Sequence, residues 1–251
     1  TECEVLDHTM ARCWSIEGVG YNHTWQFEVG MQMSNSSFDS TSYHPPILTH
    51  LGDKGLNTTC PCLMETTGSE PVVITGENFG PIDGTYQNYS NVINASYMSL
   101  GERMGLASHR FHAGGCYVSV SHTELTCYSS EGVGYEQYWT LEVGHQHNTP
   151  QYGDPYTSYK KPSIQLLQNS THYHGVKTSG NEELTITGAN FGPVHKENFV
   201  CANYSNPSLY NESELAASLF LAKNCSVTKS HTTMVCRTVV GVGHEHQWKV
   251  Q

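Results

Sequence analysis

Residues 116–143 read CYVSVSHTELTCYSSEGVGYEQYWTLEV, and this stretch decides the fold because the chain writes it three times. Residues 3–29 give CEVLDHTMARCWSIEGVGYNHTWQFEV, and residues 225–250 give CSVTKSHTTMVCRTVVGVGHEHQWKV. Each copy places Cys, His-Thr, Cys, Gly-Val-Gly and Trp in the same order. Trp25, Trp139 and Trp248 stand 114 and 109 residues apart, the size of a small domain, so the sequence predicts a tandem array. Apolar and polar residues alternate in CYVSV, WTLEV and WQFEV, which predicts strands half buried on one face. Gly-Val-Gly then reads as a turn that returns the chain to the sheet.

The upstream half occurs twice. VVITGENFGP at 72–81 matches LTITGANFGP at 184–193, with Gly76, Gly80 and Pro81 answering Gly188, Gly192 and Pro193. The repeats predict a partial copy at 1–44 that begins in mid-domain, a complete copy at 45–160, and a copy at 161–251 that stops short of the Thr-Ser-Tyr found at 41–43 and 157–159. Many short strands joined by Gly-rich turns predict an all-β fold of sandwich type. The stretch SELAASLFLA at 213–222 is the single helix expected, of one or two turns.

Proline before isoleucine, a β-branched run, Thr-Gly-x-Asn-Phe-Gly-Pro, Cys-x-Val, His-Thr-x-x-x-Cys, Gly-Val-Gly and Trp follow one another along the chain. In this order they resemble the IPT/TIG domain, the immunoglobulin-like fold of plexins and some transcription factors. The likeness covers essentially the whole chain. Its cysteine-paired form is similar to the long extracellular arrays of fibrocystin-like and protist surface proteins. The resemblance implies tandem immunoglobulin-like β-sandwiches, a structural or binding role and no enzyme activity. The loops depart from the family pattern, so it assigns no ligand surface.

Twelve basic residues against 23 acidic ones give a net charge of −11. Nucleic acid and anionic membrane surfaces select clustered Lys and Arg, so neither is expected as a partner. The most apolar run, LAASLFLA at 215–222, is far shorter than the roughly 20 residues of a membrane span. No membrane contact is therefore expected within this segment.

Cys3 with Cys13, Cys116 with Cys127, and Cys225 with Cys236 recur at separations of 10, 11 and 11 residues. Such loops suit disulfides between neighbouring antiparallel strands, each contributing about 2–3 kcal/mol. Disulfides of this density belong to oxidising, extracellular compartments. Cys60, Cys62 and Cys201 are left over; Cys60-Pro61-Cys62 is too short for an unstrained bridge of its own, and three readings stand: a disulfide to Cys201 or to another chain, a metal site, or free thiols. Cys60 and Cys62 align with His172 and His174 at the offset of 112 residues. His145 with His147, His172 with His174, and His244 with His246 would share a face if they lay on strands. No third ligand recurs beside them, so a solvated polar face is expected and no metal.

Asn-x-Ser/Thr occurs at Asn22, Asn35, Asn57, Asn88, Asn94, Asn169, Asn203, Asn211 and Asn224, about three times the chance frequency. N-linked glycans are expected on most of them. Asn88 and Asn203 are the safest, because Asn-Tyr-Ser occurs at both and aligns between copies. Asn94 and Asn211 pair in the same way. All should lie on exposed loops or strand edges, and the Ser/Thr-rich stretch at 34–46 is a further candidate for O-linked sugar.

No Gly-x-Ser-x-Gly elbow, phosphate loop, His-Glu-x-x-His or recurring carboxylate pair occurs, so no enzyme and no cofactor beyond covalent glycans is expected. Two function classes remain. One is a structural repeat segment of a glycosylated extracellular rod or filament, with copies of itself as head-to-tail partners. The alternative is the ectodomain of a cell-surface adhesion molecule or receptor. Register repetition, sugar sites along the whole length and the near absence of linkers favour the rod. In that reading a strand resembling residues 28–44, from the same chain or from a neighbour, covers the edge beside Trp248.

Overall fold

The computed structural model describes residues 2–52, 62–82, 93–99, 110–169, 175–194, 200–206 and 220–250. Among these residues every regular element is a β-strand. The helix expected at 213–222 falls on residues outside this set up to 219, while Phe220–Leu221 is strand. The chain divides into two compact units, one of residues 1–62, 71–129 and 136–157, the other of residues 63–70, 130–135 and 158–251.

In the first unit the strands run Ile47–Gly52, Pro71–Glu77, Glu124–Tyr128, Phe111–Val120, Ile93–Ser99, Gln137–Val143 in spatial order, each antiparallel to its neighbour. The second unit repeats this order. Ser163–Asn169, Glu183–Ala189, Thr233–Arg237 and Lys223–Lys229 form one sheet, and Phe220–Leu221, Ala202–Ser205 and Gln247–Val250 another. The single long strand Phe111–Val120 is thus answered by two pieces, Phe220–Leu221 and Lys223–Lys229. Both versions bend at one place, where Gly115 (φ 56°) and Asn224 (φ 50°) occupy the left-handed region and the register shifts.

Glu183–Ala189 turns every second side chain inward, burying Leu184 and Ile186, while Pro71–Glu77 buries Val72, Val73 and Ile74 in succession. Phe79, Leu125, Trp139 and Leu141 complete the first core, and Phe191, Val227 and Met234 the second. Each fully buried Leu, Ile or Phe of this kind contributes about 1.5–3 kcal/mol. The aromatic pairs match as well: Tyr97 stacks on Trp139 with ring centroids 4.5 Å apart, and Tyr204 on Trp248 at 4.3 Å. Residues 3–33 carry the same strand pattern with its inward side uncovered, so that Val29 is 68% exposed where its counterpart Val143 is 1% exposed.

The Thr-Gly-x-Asn-Phe-Gly-Pro motif folds identically in both places for steric reasons. A Cβ on Gly76 would lie 1.9 Å from the Ile47 carbonyl oxygen, and one on Gly188 would lie 1.9 Å from that of Ser163. Asn78 and Asn190 take φ values of 66° and 64°, and their side-chain amides donate to the Pro45 and Lys161 carbonyls at 3.0 Å. The Phe rings thereby drop into the core.

Candidate functional site

The motif's second task is to hold a hairpin. His122 N–H donates to the Gly80 carbonyl at 2.6 Å and Phe79 N–H donates back to the His122 carbonyl at 3.1 Å. His231 repeats this with Gly192 at 2.7 Å and Phe191 at 3.1 Å. Both histidines sit at left-handed φ, 65° and 67°, so each Ser-His-Thr tip is fixed from behind and presents its imidazole outward. Ser121 and Ser230 hydroxyls accept from Ile82 and Val194 N–H, closing the tip against the loop. In the first copy Asp7 stands at the serine position. It accepts from the Thr9 N–H at 2.7 Å and hydroxyl at 2.8 Å, bonds that hold its carboxyl below the usual carboxylate range.

Each presented imidazole meets the Glu that precedes Gly-Val-Gly in the preceding copy. His122 Nε2 lies 3.0 Å from Glu17 Oε2 within the first unit. His231 Nε2 lies 3.7 Å from Glu131 Oε2 within the second, with its Nδ1 3.0 Å from Thr66 Oγ1. A proton on Nε2 faces the carboxylate and leaves Nδ1 to accept from the buried Thr66 hydroxyl. Around the first of these pairs the turn at Gly144 presses so close that a Cβ there would lie 2.6 Å from Gly20 N and 2.8 Å from Val19 Cγ2. Gln146 Nε2 donates to the Tyr43 carbonyl beside it at 2.9 Å. A hairpin, a turn and a Gly-Val-Gly shoulder therefore form a joint between one copy and the next.

The shoulder is itself built alike in successive copies. Gly132 N–H donates to the Thr66 carbonyl and Gly241 N–H to that of Thr178. Gly20, Gly134 and Gly243 all have positive φ, between 103° and 126°, a backbone that admits glycine most readily. Thr-Ser-Tyr braces it from the edge: Trp25 and Trp139 donate their indole N–H to Thr41 and Thr157 at 3.0 Å. Tyr43 and Tyr159 donate their hydroxyls to the Ile16 and Ser130 carbonyls. In the third copy the Tyr204 phenol, whose pKa burial raises, accepts from Val239 N–H at 3.0 Å at the corresponding place.

The three recurring cysteine pairs are disulfides, Cys3–Cys13, Cys116–Cys127 and Cys225–Cys236, each spanning antiparallel strands with Cα atoms 4.1 Å apart. Cys201 is a free, exposed cysteine. Cys60 lies outside the described residues, and Cys62 opens the strand Cys62–Met64. The two histidine pairs among the described residues, His145 with His147 and His244 with His246, do not share a strand face. His145 occupies a turn at φ 64° with its ring 3.5 Å from Glu142, and His244 and His246 precede the strand Gln247–Val250. His172 and His174 are outside the described set. Among the described residues no group of three or more His, Cys, Asp or Glu is placed to hold a metal ion.

Of the sequons, Asn22, Asn35, Asn94 and Asn224 are exposed, the Asn94 amide donating to Glu142 at 3.2 Å. Asn169 ends the strand Ser163–Asn169, and Asn57, Asn88 and Asn211 lie outside the described residues. Asn203 corrects the expectation of an exposed position. It is 8% exposed in the middle strand of a three-stranded sheet. Nor does it correspond to Asn88. Tyr204 pairs with Trp248 as Tyr97 pairs with Trp139, so the fold counterpart of Asn203 is Ser96. Fourteen residues separate Pro81 from Ser96 and nine separate Pro193 from Asn203, so the offset between copies falls from 112 residues at the prolines to 107 at these strands, whereas Asn88 and Asn203 stand 115 apart.

No helix among the described residues is long and apolar enough to cross a membrane. No protein family's sequence profile matches the chain, and no curated protein matches it.

Proposed function

We propose that this chain is a structural repeat segment of a glycosylated extracellular rod or filament, built from tandem IPT/TIG-like β-sandwich repeats at 1–44, 45–160 and 161–251 that stack head to tail. The observation that carries the reading is the joint made twice in the same direction, Glu17 with His122 and Glu131 with His231. A contact that joins the end of one repeat to the start of the next is heterologous, and its repetition propagates along a line rather than closing on itself. The strands Tyr156–Tyr159 and Ser163–Asn169 are separated by three residues, too few for a long free linker between the second repeat and the third. Three disulfides fit an oxidising compartment.

Glycans in this reading occupy the exposed sequons. Glycopeptide mapping of the native protein is expected to find sugar at Asn22, Asn35 and Asn224, and none at Asn203. A native mass unchanged by endoglycosidase contradicts the glycoprotein, and sugar on Asn203 contradicts its placement in the sheet.

A further inference from the structure

Of the nine sequons, Asn224-Cys225-Ser226 alone encloses a cysteine, and that cysteine is bonded to Cys236. Resting on the glycoprotein reading, we propose that disulfide closure sets the occupancy of this site: sugar reaches Asn224 before Cys225 bonds to Cys236 or not at all. Three observations carry this. First, the bond clamps the middle of the sequon. It joins the strands Lys223–Lys229 and Thr233–Arg237 with the two Cα atoms 4.1 Å apart, and Ser226 lies in register with Val235. N-linked transfer needs an enzyme groove that encloses the three acceptor residues, and a second strand fixed to the central one takes the space of a groove wall. Second, Asn224 lies where the register shifts between Lys223 and Ser226, at a left-handed φ of 50°. Gly115 stands at the same place before Cys116 with φ 56°, so the fold sets a left-handed residue beside the cysteine in both copies. Asparagine meets that requirement and brings a sequon under the clamp. Third, Asn224 is exposed, so a sugar already attached leaves the strands free to pair and the bond free to close.

The two competing steps use different chemistry. In transfer, the Asn224 Nδ2 bonds to C1 of the sugar, the bond from C1 to the diphosphate of a lipid-linked oligosaccharide breaks, and one amide proton passes to a base of the transferase. In closure, the Cys225 and Cys236 thiols give up two protons and two electrons to a protein disulfide, which becomes a dithiol. Chain synthesis at about 5–20 residues per second delivers Cys236, 12 residues after Asn224, about 1–2 s later. Closing so short a loop takes far less than a second, and the bond itself forms in seconds or longer, so the sequon stays open only briefly. Sugar on Asn224 is therefore expected on a fraction of the molecules, whereas Asn22 and Asn35, whose sequons hold no cysteine, are free of this limit.

The test expresses the 251-residue chain behind a cleavable secretion signal in eukaryotic cells and reads the glycosylated fraction of each sequon by peptide mass spectrometry. Total protein, retained and secreted, is taken, so a variant that fails to fold is still read. Cys225→Ser keeps the sequon as Asn-Ser-Ser and removes the bond, and Cys236→Ser removes the bond from the other side. Both are expected to raise Asn224 to the level of Asn35. Two controls are expected to leave it at the native fraction. Cys127→Ser opens the bond of the other unit, and Gly188→Ala, whose Cβ would lie 1.9 Å from the Ser163 carbonyl oxygen, disturbs the fold around the sequon while keeping both of its cysteines. Equal occupancy of Asn224 in the native chain and both cysteine variants, with Asn22 and Asn35 glycosylated, overturns the proposal and leaves the glycoprotein. A rise in Gly188→Ala as large as in the cysteine variants also overturns it, since folding and not the bond would then close the site. Absence of sugar from every sequon overturns the glycoprotein and the proposal together.

Discussion

Alanine at Gly188 is expected to unfold the second unit under conditions in which the native chain is folded. The added Cβ would stand 1.9 Å from the Ser163 carbonyl oxygen and 2.7 Å from Phe191 Cζ. The oxygen belongs to the backbone of the paired strand Ser163–Asn169, in register with Ala189 and Gly188, so it cannot yield without breaking the pairing. Phe191 cannot retreat either, being buried among Leu184, Ile186 and Met234. Overpacking against backbone on one side and core on the other is expected to cost about 3 kcal/mol, the upper part of the usual range for such changes. Gly76→Ala should cost the first unit as much, from its 1.9 Å approach to the Ile47 oxygen. Gly114→Ala is the control, since nothing lies within 4 Å of a Cβ there, and should change stability by less than about 0.5 kcal/mol. Urea unfolding reads all three. Equal midpoints for the Gly188 and Gly114 variants would remove the steric account of the motif.

Trp139→Ala carries the second large effect, an expected loss of about 3–5 kcal/mol. The indole is 1% exposed, lies against Tyr97 and donates to the Thr157 hydroxyl, which is itself fully buried. Truncation empties the centre of the core and leaves that hydroxyl without its donor, two costs that add. Trp139→Phe keeps most of the ring volume and loses the N–H, so its cost should fall well below that of alanine. Both are measured by denaturant unfolding followed by far-ultraviolet circular dichroism. Similar losses for Phe and Ala would mean that the Thr157 bond outweighs the packing.

Much of this was legible in the chain itself. The disulfide pairs follow from spacing, the strands from alternation in CYVSV and WTLEV, and the recurrence of Gly76 at Gly188 from the repeat, although the steric reason for it does not. The joint was not, because its partners are far apart in sequence. Glu17 and His122 are 105 residues apart, and the His-Thr that recurs before each second cysteine carries no local mark of what it faces. The hairpins are held by bonds to a motif distant in sequence, including His122 N–H to the Gly80 carbonyl and His231 N–H to the Gly192 carbonyl. The matching of Asn88 with Asn203 failed for a different reason: a motif of three residues recurs by chance, whereas strand register is set by Tyr204 against Trp248. Whether His145 and His147 lie on one strand was not legible either, because His145 sits in a positive-φ turn, a conformation that alternation of residue types cannot reveal.

In the proposed rod, repeats continue one another head to tail from molecule to molecule. Negative-stain electron microscopy of the native protein is the decisive measurement. Unbranched filaments, with successive repeats in a single polarity along the axis, are the predicted result. Compact single molecules or closed rings would contradict it.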